Sequence, residues 1–493
     1  FMNYLGRSSY MLQQGNFVAD ALYYHGDEAP FFAKPKHIKP ELGLGYDYDV
    51  TNADILLNKI SVQDGKLVLP HGQQYSVLVL PDKEWMTLRV LEKIQQLLND
   101  GATIIGPKPV RSNGLGDAQD EKVQELANKI WGELDGQQNT ELKVGDGTLV
   151  WGKTPREVLQ AQGIVPDISF TTAGADTLDY IHRKAGDVDF YFIRNPYDKP
   201  VASLVNLRVS GKRPEAWDPV TGHMKPLSIY QTGKENTRIP LSLEPHGSVF
   251  IVFAKNEKQN AAISRDGETL FPVANPPQTW TFSDEGGGKI RLLQAGNYTV
   301  TVNDTDFEKD AEVPAYMDVE QTEWQITFTD PWEEIFTATT DELKSWTEFE
   351  EHQIKYFSGI AAYENTFDMP AKVIDSKRQI ILDLGKVEEV AEVFVNGESA
   401  GLVWTTPAQI EITNKVNSAN NTLRIEVANR WPNRMIGDYK LPVAERKVKS
   451  SIVTLPTAWN APLETLPSEQ MSLQPSGLLG PVEIEVYEVV EVK

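Results

Sequence analysis

The spacing of apolar positions divides the chain into two textures. Residues 3–14 (NYLGRSSYMLQQ) have helical spacing, and Gly15 follows as a C-terminal cap would. FVADALYYHG then reads as one buried strand ending at Gly26. Residues 27–53, rich in Pro, Gly and Asp, read as a long loop. From residue 66 strands and helices alternate. KLVLP and YSVLVLPD are strands, and TLRVLEKIQQLLNDG places apolar residues at 88, 90, 91, 94, 97 and 98, a helical stripe closed by Gly101. ATIIGPKP is the next strand and EKVQELANKIWG the next helix, and a further strand and helix lie near KVGDGTLVWG and PREVLQAQG. Such alternation predicts a mainly parallel sheet.

Near residue 166 the helical period disappears. DVDFYFIRNP, VASLVNLRVSG, PEAWDPVTGH, TRIPLSLEPHG and SVFIVFAK are strands between turn signals, the pattern of an antiparallel sandwich. Residues 255–268 are polar and read as a linker. Beyond them short strands resume, from GNYTVTVND to NTLRIEVANRW. Asn396-Gly397, between EVFV and ESAGLVW, is the strongest hairpin signal in the chain. This spacing predicts a jelly roll. The expected fold class is therefore multidomain α/β plus all-β: an α/β unit over 14–165, a β-sandwich over 166–256, a linker and β segment over 257–317, and a jelly roll over 318–493.

Composition narrows the chemistry. Cysteine is absent from the 493 residues, which excludes disulfides, thiolate metal sites and a cysteine nucleophile. The α/β pattern invites comparison with class I amidotransferases, which need such a nucleophile; on that comparison only a scaffold remains. The net charge of -23 argues against nucleic acid and anionic membrane surfaces as partners. No run of 18 apolar residues suggests a membrane span. Phe1 to Tyr10 do not read as a signal peptide, and Phe1 follows no initiator, as in a chain processed or cut from something longer.

The candidate sites each have a plain alternative. Asp47, Asp49, Asn52 and Asp54 offer oxygen ligands at alternate positions, but the EF-hand pattern fails, and Asp side chains in loops commonly cap backbone groups. Glu348, Glu350 and Glu351 form a charge run suited to a solvated face. His182 and Arg183 can hold a sugar hydroxyl or carboxylate, or satisfy an interdomain contact. Trp431 stands in NRWPNRMIGD with Arg430, Arg434 and Asp438, and Trp404 follows the hairpin. An indole beside Arg and Asp is what a sugar subsite requires, an apolar face with charged hydrogen-bonding partners; a Trp packed under the jelly roll is the alternative.

Several strings occur in order over residues 13–482: QQGNFVADALYYHGDEAP, GYDYD, QYSVLVLPD, GATIIGPKP, YIHRKAGDVDFYFIRN, AWDPVTG, LKSWTE followed by IKYFSGIAAYENTF, NRWPNRMIGD and SGLLGPV. This ordered set resembles glycoside hydrolase family 106, the α-L-rhamnosidases. YFSGIAAYENTF and GLLGPV are less specific, because family 2 glycosidases have similar jelly rolls. The resemblance implies a (β/α)8 catalytic barrel followed by an amidotransferase-like domain, a β-sandwich and a galactose-binding-like jelly roll. On this reading residues 1–13 are the end of the barrel, and the acid and base, with any calcium they hold, lie outside this sequence. No catalytic residue of the family can be matched here. The expectation is a non-catalytic C-terminal region of an enzyme acting on α-L-rhamnosyl linkages of a plant or algal polysaccharide, periplasmic or extracellular. Its partners would be that glycan and its own barrel, with no cofactor in this chain. The alternatives are a non-enzymatic carbohydrate-binding module, or an accessory region of a family 2-like β-glycosidase.

Overall fold

The computed structural model describes residues 1–26, 38–113, 119–174, 177–312, 315–319, 323–332, 334–374, 378–448 and 472–492. It is mostly β, with few helices and many sheets. The first large sheet is parallel through Tyr48–Thr51, Ala21–Tyr24, Val77–Val79, Thr103–Ile105 and Gly147–Val150, with Glu141–Val144 added antiparallel at one edge. Helices Leu88–Asn99 and Asp120–Trp131 bury Val90, Leu91, Ile94, Leu97, Leu98 and Trp131 in one core cluster of this sheet. Helix Pro155–Ala161 packs in a second cluster and begins with a capping box between Thr154 and Glu157, with proline in its first turn.

Three details differ from the sequence expectation. FVADALYYHG is not one strand. Asn16–Phe17 pairs with Asp179–Ala185 in another sheet, whereas Ala21–Tyr24 is a central parallel strand. The division falls beside Asp20, buried and paired with Arg208 at 2.9 Å. The expected loop of 27–53 contains strand Tyr48–Thr51 and, overlapping its end, helix Ala53–Asn58, while residues 27–37 lie outside the described residues. KVGDGTLVWG belongs to a hairpin pairing Glu141–Val144 with Gly147–Val150.

Residues 168–256 build two facing antiparallel sheets. One runs Asn16–Phe17, Asp179–Ala185, Val188–Arg194, Ser248–Asn256, Lys212–Trp217, Met224–Pro226; the other runs Ile168–Thr172, Val201–Leu207, Thr237–Leu243, Gln231–Thr232. Ile168, Tyr191, Val205, Tyr230 and Ile251 fill the space between them. Gly15 makes the turn into this layer: at φ +59° its Cα lies so close to Lys184 that a Cβ would meet the Lys184 carbonyl oxygen at 2.2 Å.

The polar run 255–268 is strand rather than linker over much of its length. Ser248–Asn256 continues into it and Ala261–Arg265 forms within it, its polarity arising partly from the turn at Asp266 and Gly267. Ala261–Arg265, Glu268–Phe271, Gly296–Val302 and Thr305–Ala311 form one sheet. The last strand, Glu483–Glu491, returns to pair with Lys289–Leu292, Ala315–Asp318 and Arg378–Asp383.

Facing that strand is a six-stranded antiparallel sheet in the order Ile335–Thr340, Trp324–Thr329, Ile360–Phe367, Asn421–Ala428, Val390–Val395, Glu398–Val403. Trp324, Phe328, Tyr363, Val393 and Ile425 fill the largest core cluster from its inner face, and Trp346, in the turn Trp346–Glu348, packs into the same cluster. The Trp346 indole donates to the Tyr363 hydroxyl at 2.5 Å, and burial pushes that hydroxyl up to about 12. Asn396 and Gly397 take φ +53° and +80°, the left-handed pair a two-residue hairpin requires. Among the described residues no helix is long and apolar enough to cross a membrane.

Candidate functional site

The NRWPNRMIGD segment leaves the strand Asn421–Ala428 and turns directly into helix Pro432–Tyr439. Its two asparagines hold the turn. Asn429 Nδ2 donates to the Phe357 carbonyl at 2.9 Å and the Ser476 hydroxyl at 3.2 Å, while its Oδ1 accepts from Gly359 N. Asn433, buried, donates to the Gln474 carbonyl at 2.7 Å and to Ser476 Oγ at 3.0 Å, and accepts from Gln474 N at 2.8 Å. One segment thus ties together the 357–359 turn and the 474–476 strand approach. These roles were not foreseen from sequence.

With both asparagines turned inward, Trp431, midway between them, is directed to the surface. Trp431 is 46% exposed. Beside it stands Trp332, 40% exposed, with ring centroids 6.2 Å apart and planes at 84°. Among the described residues these are the two exposed tryptophans, and they are neighbours. Arg434 Nε meets Asp438 Oδ1 at 3.0 Å, and its guanidinium lies 5.0 Å from the Trp332 ring centre. Lys447 lies 5.3 Å from the same centre and pairs with Glu334 at 2.6 Å. Asp438 is buried and also accepts from Val448 N at 2.6 Å, so it anchors Arg434 and the following chain. Trp332, Lys447 and Glu334 escaped the sequence reading. The one available signal was DPWEE, a proline-containing turn with an aromatic residue between two strands.

Trp404 lies elsewhere. Half-buried, it meets Phe1 and Tyr4 edge-on, each with centroids 5.9 Å away. It lines a groove of about 890 Å³ with Tyr4, Arg7, Lys225, Glu389 and Glu411. Glu389 on the rim of this groove pairs with Arg430 at 2.5 Å. Arg430, Trp431 and Arg434 therefore share one surface, with Asp438 buried beneath it as the anchor of Arg434, and the Arg430–Glu389 ion pair links that surface to the groove of Trp404.

His182 is buried. Its Nδ1 lies 2.9 Å from Asp167, its Nε2 lies 3.5 Å from Asp189, and the Tyr191 ring stacks on it at 3.9 Å. Arg208 bridges Asp167 and Asp20 at 3.3 and 2.9 Å, and Lys212 meets Asp189 at 2.8 Å. Burial works against the imidazolium, but the two carboxylates outweigh it and raise His182 above its ordinary value. Burial likewise raises Asp20 despite Arg208. Arg183 donates to the Gln14 and Gly15 carbonyls, both at 2.6 Å. Arg183 thus joins separate parts of the chain, whereas His182 is held within the sandwich.

In the Asp-rich loop, Asn52 Oδ1 caps Ile55 N at 2.9 Å, Asp49 accepts from Tyr75 Oη at 2.7 Å, and Asp54 accepts from Asn58 at 2.7 Å. A cleft of about 1200 Å³ opens beside them, lined in part by Asp49, Lys59, His71, Gln73 and Arg183.

The model of glycoside hydrolase family 106, described as alpha-L-rhamnosidase, matches residues 1–232. The solved structure of a rhamnosidase from Novosphingobium sp. PP1Y is similar, with a TM-score of 0.74 and 28% sequence identity over 98% of this chain and 40% of that one. A putative beta-glucuronidase from Formosa agariphila is 27% identical over 677 residues, taking in 99% of this chain and 57% of that protein. The chain is homologous to glycoside hydrolases. It spans 57% of the length of the curated relative and 40% of the rhamnosidase structure.

Proposed function

We propose that this chain is the carbohydrate-recognising, non-catalytic region of a glycoside hydrolase that cleaves α-L-rhamnosyl linkages in a plant or algal polysaccharide outside the cytoplasm. The observation that carries the reading is the likeness to a rhamnosidase structure over 98% of this chain. Hydrolysis needs two carboxylates flanking the scissile bond, one donating a proton to the leaving oxygen and the other acting as base or nucleophile. On this reading a catalytic barrel supplies both. This chain supplies subsites through Trp431 with Arg430 and Arg434, the latter held in place by the buried Asp438, and through Trp404 as a second platform. A pyranose offers an apolar C–H face, which an indole covers, and a rim of hydroxyls, which the two arginines meet by charge-assisted hydrogen bonds.

The test is an aryl α-L-rhamnoside assay on this chain and on a longer protein carrying the barrel. The longer protein should hydrolyse it and the chain should not. Turnover by the chain at ordinary enzyme rates would place the carboxylates here and overturn the reading. The name of the Formosa agariphila relative favours a second reading, an accessory region of a β-glycosidase. Hydrolysis of an aryl β-glucuronide but not the rhamnoside would select it. Glycan binding with neither activity would select a binding module.

A further inference from the structure

The six-stranded sheet that carries the Trp332–Trp431 pair has an inner face filled by Ile326, Phe328, Ala361, Tyr363, Val393 and Ile425. Alternation along the strands sends the intervening residues to the other face, and the strand register fixes how they line up. One row across five strands is Ile335, Thr329, Ile360, Ala428, Val390. The next is Thr337, Thr327, Ala362, Glu426, Glu392, and the third is Thr339, Gln325, Glu364, Arg424, Phe394. The first row is an apolar stripe left open to solvent, with Ile335 at 68% and Ile360 at 49% exposure. The others carry hydroxyl, amide and carboxylate groups.

Two grooves, each of about 610 Å³, lie along this face and share Glu364 and Arg424. One reaches Asp330, Pro331 and Gly359, at the turns that present Trp332 and Trp431; the other reaches Phe394 and Gly397. From Ile360 to Glu364 the face runs roughly 13 Å along the strand, and the tryptophan pair extends it past the first row, so the surface is longer than a single sugar ring.

We propose that this face is an extended glycan-binding surface that takes a neutral oligosaccharide, laid along the strands from the Trp332–Trp431 pair toward Phe394. The proposal rests on the glycoside-hydrolase reading and adds the direction, length and charge of the ligand. The apolar row covers C–H faces, and Glu364, Glu426 and Gln325 accept hydroxyl protons. Arg424 is engaged by Glu364 at 3.7 Å and by Glu426, so its charge is met within the face. With Glu323, Glu364, Glu392 and Glu426 along the rows against Arg424, and with Arg434 and Lys447 beside the tryptophans each paired to a carboxylate, a uronate or sulfated chain is repelled.

The experiment is calorimetric titration of the 493-residue chain with a length series of neutral rhamnose-containing oligosaccharides and a matching uronate-bearing series. Affinity should rise with length in the neutral series and be weaker throughout the charged one. Ile360→Lys and Glu364→Ala should each weaken the longer neutral ligands about tenfold, with unfolding midpoints at the wild-type value. Should Ile360→Lys unfold, Thr327→Arg carries the same test. Absence of binding by the wild-type chain, equal affinity in these variants, or tighter binding of the uronate series would overturn the proposal. So would a variant that alters only self-association, because the apolar row would then be a protein contact. Hydrolysis by the longer protein is read separately: lost activity with intact binding overturns the enzyme reading alone, and the reverse result overturns this surface alone.

Discussion

Replacing Trp431 by alanine separates recognition from folding. The ring is 46% exposed, so about half of the surface it can bury is buried. A tryptophan buries roughly 200 Å² when fully enclosed; half of that, at about 25 cal/mol per Å², is ~2.5 kcal/mol. Residual compactness of the unfolded chain brings the figure to about 2 kcal/mol. The helix start is unaffected, because Trp431 makes no side-chain capping bond. Trp346, fully buried and bonded to Tyr363, is the contrast, and its truncation should cost ~3–5 kcal/mol. Urea unfolding measures both. Titration with the neutral oligosaccharides should show Trp431→Ala binding at least about tenfold more weakly. A variant that loses as much stability as Trp346→Ala yet binds normally would mean that Trp431 is a packing residue, and the site would fail with it.

Two further outcomes follow from groups around the site and in the sandwich. Asn433→Ala removes three hydrogen bonds to Gln474 and Ser476 from a buried position; at about 1 kcal/mol net each it should cost ~3 kcal/mol, and hydrogen exchange should quicken at 474–476. His182 has a raised folded pKa, so its contribution to stability is fully present below its unfolded value, about 6.5, and is lost as pH rises through the folded value. The unfolding midpoint of wild type minus that of His182→Asn should therefore shrink with rising pH above that value, and an increase would refute the assignment of both carboxylates to the imidazolium.

What could be read from sequence was local. The stripe at 88, 90, 91, 94, 97 and 98 became helix Leu88–Asn99, since its periodicity and its burial are one property. Asn396-Gly397 became a hairpin, since few residue pairs tolerate two positive φ values. The errors lie where a distant partner decides. Asp20 sits inside an apolar run, and nothing near it reveals that Arg208, 188 positions away, neutralises it. The strand Tyr48–Thr51 was hidden by Asp49 and the neighbouring Asp47 and Asp54, yet Asp49 is compatible with a sheet edge because Tyr75 donates to it. In the 255–268 run, the turn at Asp266 and Gly267 gave strand residues a linker composition.

The candidate site was legible only in the part that lies contiguous in sequence. Arg430, Trp431, Arg434 and Asp438 share one turn and one helix, so their proximity was implied by spacing; Arg434 and Asp438 meet as an i,i+4 pair should. Trp404 was joined to them only by residue type, and the fold sets it against Phe1 and Tyr4 instead. Trp332, the residue that completes the aromatic pair, stands 99 positions before Trp431, in the turn between Trp324–Thr329 and Ile335–Thr340. The open sheet face repeats this at larger scale. Each strand shows its alternation plainly, as in IAAYENTF, but alternation says only that one face is buried. Which outward residues share a row depends on register between strands distant in sequence, and a shift of one residue would exchange the two faces. The apolar and acidic rows are therefore a property of the assembled sheet, whose chemistry no single strand displays.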